Sequence, residues 1–77
     1  MARIPGGTMR MLHTATPGFL VHGITRQQIE EQVLPAGTLY DDYARVTDVL
    51  GQVWIRIKVL QAPGTAWLYD ILPEDLA

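Results

Sequence analysis

Val53-Trp54-Ile55-Arg56-Ile57-Lys58-Val59-Leu60 is the stretch that decides the fold. Val53, Ile55, Ile57 and Val59 fall on one side of an extended chain, and Trp54, Arg56, Lys58 and Leu60 on the other. The first side is β-branched throughout, as suits a strand that lays one face on a core. The second is amphipathic, with Trp54 as the exception that needs an explanation. A helix would scatter these apolar positions round its circumference, so the segment reads as a strand.

Working outward, Leu50-Gly51-Gln52 reads as a hairpin connection, with Gly51 free to take the positive φ of a tight turn. Leu39-Tyr40 and then Tyr43 to Val49 supply strand material before it. Gln61-Ala62-Pro63-Gly64 marks the next turn, Thr65 to Tyr69 a further strand, and Ile71 to Leu76 a closing turn or short 3₁₀ segment. Upstream, Leu34 to Thr38 turns through Pro35 and Gly37. Thr25 and Gln28 have the spacing of a capping box, with Ile24, Ile29 and Val33 as apolar contacts; this predicts a short helical turn near residues 25–33, stopped before Pro35. Thr16-Pro17-Gly18 reads as a turn, Phe19 to His22 as a brief strand and Met9 to His13 as a first strand. Residues 1–8, with Pro5 and Gly6-Gly7, read as a flexible lead-in, leaving 9–77 as one domain. Short strands at this spacing predict a mainly β fold, a small five-stranded and partly open barrel.

Three motifs resemble the bacterial Src-homology-3-like domain, a small β-barrel family of cell-wall-targeting and periplasmic proteins. Leu34-Pro35-Ala36-Gly37-Thr38 is similar to its lead into a strand, Gly51-Gln52-Val53-Trp54-Ile55-Arg56-Ile57 to its central strand, and Gly64-Thr65-Ala66-Trp67-Leu68 followed by Tyr69-Asp70-Ile71-Leu72 to its ending. The resemblance covers Leu34 to Leu76 and implies an Src-homology-3-like barrel with a binding role. The first half departs from the family pattern, since its usual opening is absent and the turn at 25–33 is inserted. Leu39-Tyr40-Asp41-Asp42-Tyr43 superficially resembles the proline-peptide motif of the wider fold, but it stands too close to Trp54 for that family's long loop.

Composition removes whole classes of function. With 77 residues, 48% hydrophobic, 18% charged and a formal net charge of −2, the chain suits one small folded domain. Its stability is expected to be marginal or assisted by a homo-oligomer. Cys, Ser and Asn are all absent, which excludes a disulfide framework, thiolate metal sites and serine or cysteine nucleophiles. No cofactor is expected, because Gly6-Gly7 lacks the spacing and lysine of a phosphate loop. The six bases (Arg3, Arg10, Arg26, Arg45, Arg56 and Lys58) are dispersed among eight acids, so no nucleic-acid partner is expected. No apolar run approaches the roughly 18–20 residues of a membrane span, and His13, Thr14, Thr16 and Pro17 interrupt any leader-like stretch. A cytoplasmic location without membrane contact is the expectation.

Five of the six aromatics lie in the second half. Tyr40, Tyr43 and Trp54 are the candidates for a groove that takes an extended peptide or a glycan, with Arg56 or Lys58 reading an acidic group nearby. Trp54 has an alternative, covering a second small core beneath the 25–33 turn, and Trp67 is expected to plug the barrel end. Asp41-Asp42 with Asp48 lacks metal-loop spacing and reads as a solvated turn. His13 and His22 could meet across a hairpin, but with no carboxylate or thiolate at ligand spacing they read as packed or exposed side chains. Asp70, Glu74 and Asp75 read as an acidic surface tip. No catalytic set emerges. The expected function is a non-catalytic recognition module for a peptide, a protein partner or a cell-wall glycan or peptide. The alternative is a free-standing phage or mobile-element accessory protein that self-assembles or occludes a host protein. A third reading is a small enzyme whose site forms only at an oligomer axis.

Overall fold

The computed structural model describes residues 9–62 and 65–76, so the 1–8 lead-in and the tip of the last hairpin lie outside the described residues. Six strands form one antiparallel sheet: β1 (Arg10–Met11), β2 (Thr16–Val21), β3 (Gln28–Leu34), β4 (Leu39–Thr47), β5 (Val53–Ala62) and β6 (Thr65–Ile71). A 3₁₀ turn, η1 (Pro73–Leu76), closes the chain as expected. The order across the sheet is β1-β4-β5-β6-β2-β3, with no hydrogen-bonded pairing between the outer strands β1 and β3. The mainly β expectation stands; the strand count is six rather than five, and the ladder is open.

The sixth strand arises where a helical turn was expected. Residues 28–34 pair with β2, from Val21 opposite Gln28 to Thr16 opposite Leu34. The capping capacity of this segment serves a hairpin loop instead. Thr25 Oγ1 accepts from Gln27 N at 3.3 Å, and His22 Nδ1 accepts from the amides of Ile24 and Thr25 at 3.1 and 3.2 Å. A side chain that can cap a helix can as readily close a turn. The supposed apolar face also has nothing to pack on, since Ile29 and Val33 are 53% and 66% exposed.

Thr16-Pro17-Gly18 is likewise strand rather than turn. Gly18 is there for clearance: a Cβ built on it would stand 2.4 Å from Ile71 Cδ1. Gly51, by contrast, fills the expected role, with φ +87 in the β4–β5 hairpin.

Pro35 to Thr38 carries the chain from β3, at one edge, to β4 beside the other edge. Gly37 takes φ +89 and Thr38 N donates to Pro35 O at 3.2 Å, so this link is folded back on itself. Across a flat sheet the two strands would lie four spacings apart, about 19 Å, which a folded turn does not span. The sheet must therefore curl. Its inner face holds the core of Leu12, Leu20, Leu34, Tyr40, Ile57, Val59, Tyr69 and Ile71, with Ile55 and Leu76 packed against it. Ile57 and Val59 thus confirm the inward side of the central strand. The outward side is less exposed than its pattern suggests, because both Trp54 and Arg56 are buried.

Candidate functional site

The outward face of the sheet is built on a buried ion pair. Arg56 and Asp70 are cross-strand partners on β5 and β6; Arg56 Nε donates to Asp70 Oδ1 at 2.7 Å and Nη2 to Oδ2 at 3.0 Å. The bond to Asp70 outweighs desolvation and raises the Arg56 pKa, so the guanidinium stays charged. Gln28 Nε2 adds a bond to Asp70 Oδ2 at 3.1 Å, and Arg56 Nη2 also donates to the carbonyl of Arg26 at 3.3 Å. The pair therefore anchors the β2–β3 loop above the sheet.

That loop is closed by His22 N donating to Gln27 O at 2.8 Å and Arg26 N to His22 O at 3.0 Å. Arg26 sits in the left-handed region at φ +64, the only described non-glycine residue with positive φ. An L side chain there costs about 1–2 kcal/mol. The anchored carbonyl and a bond from Arg26 Nη1 to Gly23 O hold it in place. Its guanidinium lies over the Tyr43 ring, 5.8 Å from the centroid, and Nη2 approaches Tyr43 Oη at 3.3 Å. Lys58 Nζ is also 5.8 Å from that centroid. Tyr43 reaches both cations because alternation from the inward Tyr40 puts it on the outward face with Lys58, and as the extra residue of a bulge between Asp42 and Ala44 it has no partner in register on β5.

Beside Tyr43 opens a groove of about 560 Å³, floored by Val21 and Leu68 and flanked by Arg26, Ile29, Lys58 and Trp67. Tyr43 and Trp67 are 46% and 42% exposed. Among the described residues its lining contains no acid. Arg26 also borders a second groove, of about 480 Å³, that runs to Asp48 and Trp54.

Of the five candidate residues, Tyr43 and Lys58 meet at this groove and three stand elsewhere. Tyr40 pairs with Val59 on the inward face and is core, since three positions along a strand reverse the face before the bulge intervenes. Arg56 lines the second groove and not the one beside Tyr43, and there it is buried and paired with Asp70. Trp54 is packed: its ring meets Phe19 edge-on at 5.4 Å and 84°, and Nε1 donates to Asp48 Oδ2 at 3.0 Å. Asp48 is thereby a structural acceptor. The Trp54 bond, followed by backbone bonds led by that of Gln52, lowers its pKa. Trp67 borders the groove rather than plugging the barrel.

Asp41 and Asp42 lie in β4, not in a turn; Asp42 pairs with Arg10 at 3.5 Å, and Asp41 Oδ1 is buried with no described hydrogen-bond partner. Asp70 is 1% exposed, which removes it from the acidic tip and leaves Glu74 and Asp75 there. His13 and His22 flank opposite ends of β2, and no group of three metal-ligating side chains occurs among the described residues. Nor is any helix among them long and apolar enough to cross a membrane.

Arg26 and Trp67 are the groove residues that sequence reasoning missed. The signal for Arg26 was Gly23 between two β-favouring runs, which marks a hairpin loop as well as a helix start. Comparison with protein-family models, curated proteins and solved structures gives no match to the chain.

Proposed function

We propose that this domain is a non-catalytic recognition module that takes an extended peptide segment of a partner protein in the groove beside Tyr43. One observation carries the reading: two exposed aromatic rings, Tyr43 and Trp67, flank an apolar floor of Val21 and Leu68 on the outward face of the sheet. Rigid aromatic side chains give large contact area at low entropic cost, and a strand-built floor suits an extended ligand. The Src-homology-3-like classification belongs to the same reading. It is supported by the curl of the sheet and by the three motifs, which fall in the link before β4, on β5 and on β6. Self-assembly has less support, because the free β3 edge carries adjacent Glu30 and Glu31.

Selection from a random-peptide display library tests the proposal. Selected peptides should bind the wild type and lose roughly 30-fold or more in affinity on Tyr43→Ala, the size of a central aromatic anchor. Both rings are substantially exposed, so the substitutions leave the core intact. Selected peptides whose affinity survives Tyr43→Ala and Trp67→Ala together would place recognition elsewhere.

A further inference from the structure

We infer that the ligand of this groove is acidic, and that Arg26 and Lys58 read its carboxylate; the inference rests on the recognition reading above. In a chain of net charge −2 with eight acids, the described lining of the groove carries two cations and no acid. Neither cation forms an ion pair with a described carboxylate, since the salt bridges among the described residues are Arg10–Asp42 and Arg56–Asp70. Asp41 stands opposite Lys58 in register without pairing to it. Both cations instead lie 5.8 Å from the centroid of one tyrosine ring. A tyrosine face is a weaker partner for a guanidinium than a carboxylate held through two parallel hydrogen bonds. An arriving carboxylate would therefore take Arg26 from Tyr43 and keep the ring as the wall of its site.

The position of Arg26 supports the assignment. Its left-handed backbone is held by Arg56, which is itself fixed by Asp70, so the buried ion pair sets where the free guanidinium stands. Sustained backbone strain at an exposed cation is a mark of a binding position. Two cations are too few to hold a nucleic-acid backbone on a net-negative domain. The occupant that fits is an extended peptide with Asp or Glu next to a bulky apolar residue, whose side chain enters the floor at Val21 and Leu68.

Two pools of acetylated, amidated hexapeptides alternating with Val, Ile, Leu or Phe, one with Asp and Glu and one with Asn and Gln, provide the probe. Titration into ¹⁵N-labelled protein should shift the amides of Val21, Arg26, Tyr43, Lys58 and Leu68, with the acidic pool binding about tenfold tighter, as a hydrogen bond to a charged group allows. Arg26→Gln should lower the affinity of the acidic pool more than that of the amide pool and so remove most of the preference, and a full tenfold preference in that variant would overturn the role of Arg26. Equal binding of the two pools at this groove overturns the acidic ligand and spares the recognition reading. Binding by neither pool overturns both. Concentration-dependent shifts of the same amides without peptide would make a second copy the occupant and overturn the inference.

Discussion

Arg56 and Asp70 form two parallel hydrogen bonds across neighbouring strands while both are almost wholly buried, at 9% and 1% exposure. Everything above that face hangs on them, since Gln28 and the Arg26 carbonyl are bonded to the same pair. Removing one partner leaves a buried charge uncompensated, which costs about 3–5 kcal/mol, whereas replacing both with apolar residues of similar volume is often neutral. Asp70→Ala should therefore remove about half of the stability, given that a domain of this size has a total of roughly 5–10 kcal/mol. The paired change Arg56→Met with Asp70→Leu should recover most of the loss. Urea denaturation of the single and double variants measures this directly, and a double variant no better than Asp70→Ala would show that the charge itself is required.

The pH dependence of folding should show two limbs, an acid one from Asp48 and an alkaline one from Tyr69. Asp48 accepts bonds from Trp54 Nε1 and from the amides of Leu50 and Gln52, and its native pKa lies below the ordinary 3.8. A depressed native pKa gives stability that is fully present above the unfolded value and lost as pH falls through the native one. The stability gap between wild type and Asp48→Ala should close on acidification below about pH 4. At the other end, burial followed by the charge of Glu30 raises the Tyr69 pKa above 10.0. Here the unfolded chain loses its proton first, so stability falls as pH rises past the unfolded value. Tyr69→Phe should remove that alkaline loss, at the expense of the bond to Gln32 Oε1. Denaturation midpoints collected from pH 3 to 11 resolve both limbs.

The strand core was legible because its pattern is local. Ile57 and Val59 face the interior as alternation demands, and Gly51 turns the β4–β5 hairpin. What misled the reading was local chemistry serving a tertiary purpose. Thr25 bonds Gln27 N in a hairpin loop instead of capping a helix, and Gly18 makes room for Ile71, a residue more than fifty positions away. The site was half legible for the same reason. Tyr43 and Lys58 share a face of neighbouring strands, whereas the burial of Arg56 depends on Asp70 and the reach of Arg26 on a loop that only the sheet order brings near.

The clearance at Gly18 can be tested by compensation. A methyl group there would meet Ile71 Cδ1 at 2.4 Å and Asp70 O at 3.3 Å. Ile71 is fully buried and cannot swing aside, so Gly18→Ala should cost about 1–3 kcal/mol by overpacking. Ile71→Val removes the Cδ1 atom and carries its own smaller penalty. Combined, the two changes should cost less than the sum of the singles, a favourable coupling that residues in contact show and distant ones do not. Strict additivity would mean that the clash is relieved by backbone movement.

The outer strand β3 presents the last test. Among the described residues it pairs with β2 alone, which leaves its other edge free, and it exposes Ile29 and Val33. Such an edge invites pairing with another chain unless charge or irregularity blocks it. Here Glu30 and Glu31 occupy its middle, and the register shift places Ile29 as an extra residue within the pairing. In antiparallel pairing of two copies centred on this strand, these carboxylates would face one another, and like charges directly opposite are destabilising. Glu30→Thr with Glu31→Thr keeps the β propensity and removes the repulsion. The double variant should associate, by light scattering, at concentrations where the wild type does not. Added salt should move the wild type in the same direction by screening the glutamates. A double variant that scatters like the wild type would assign the protection to the bulge at Ile29 rather than to charge.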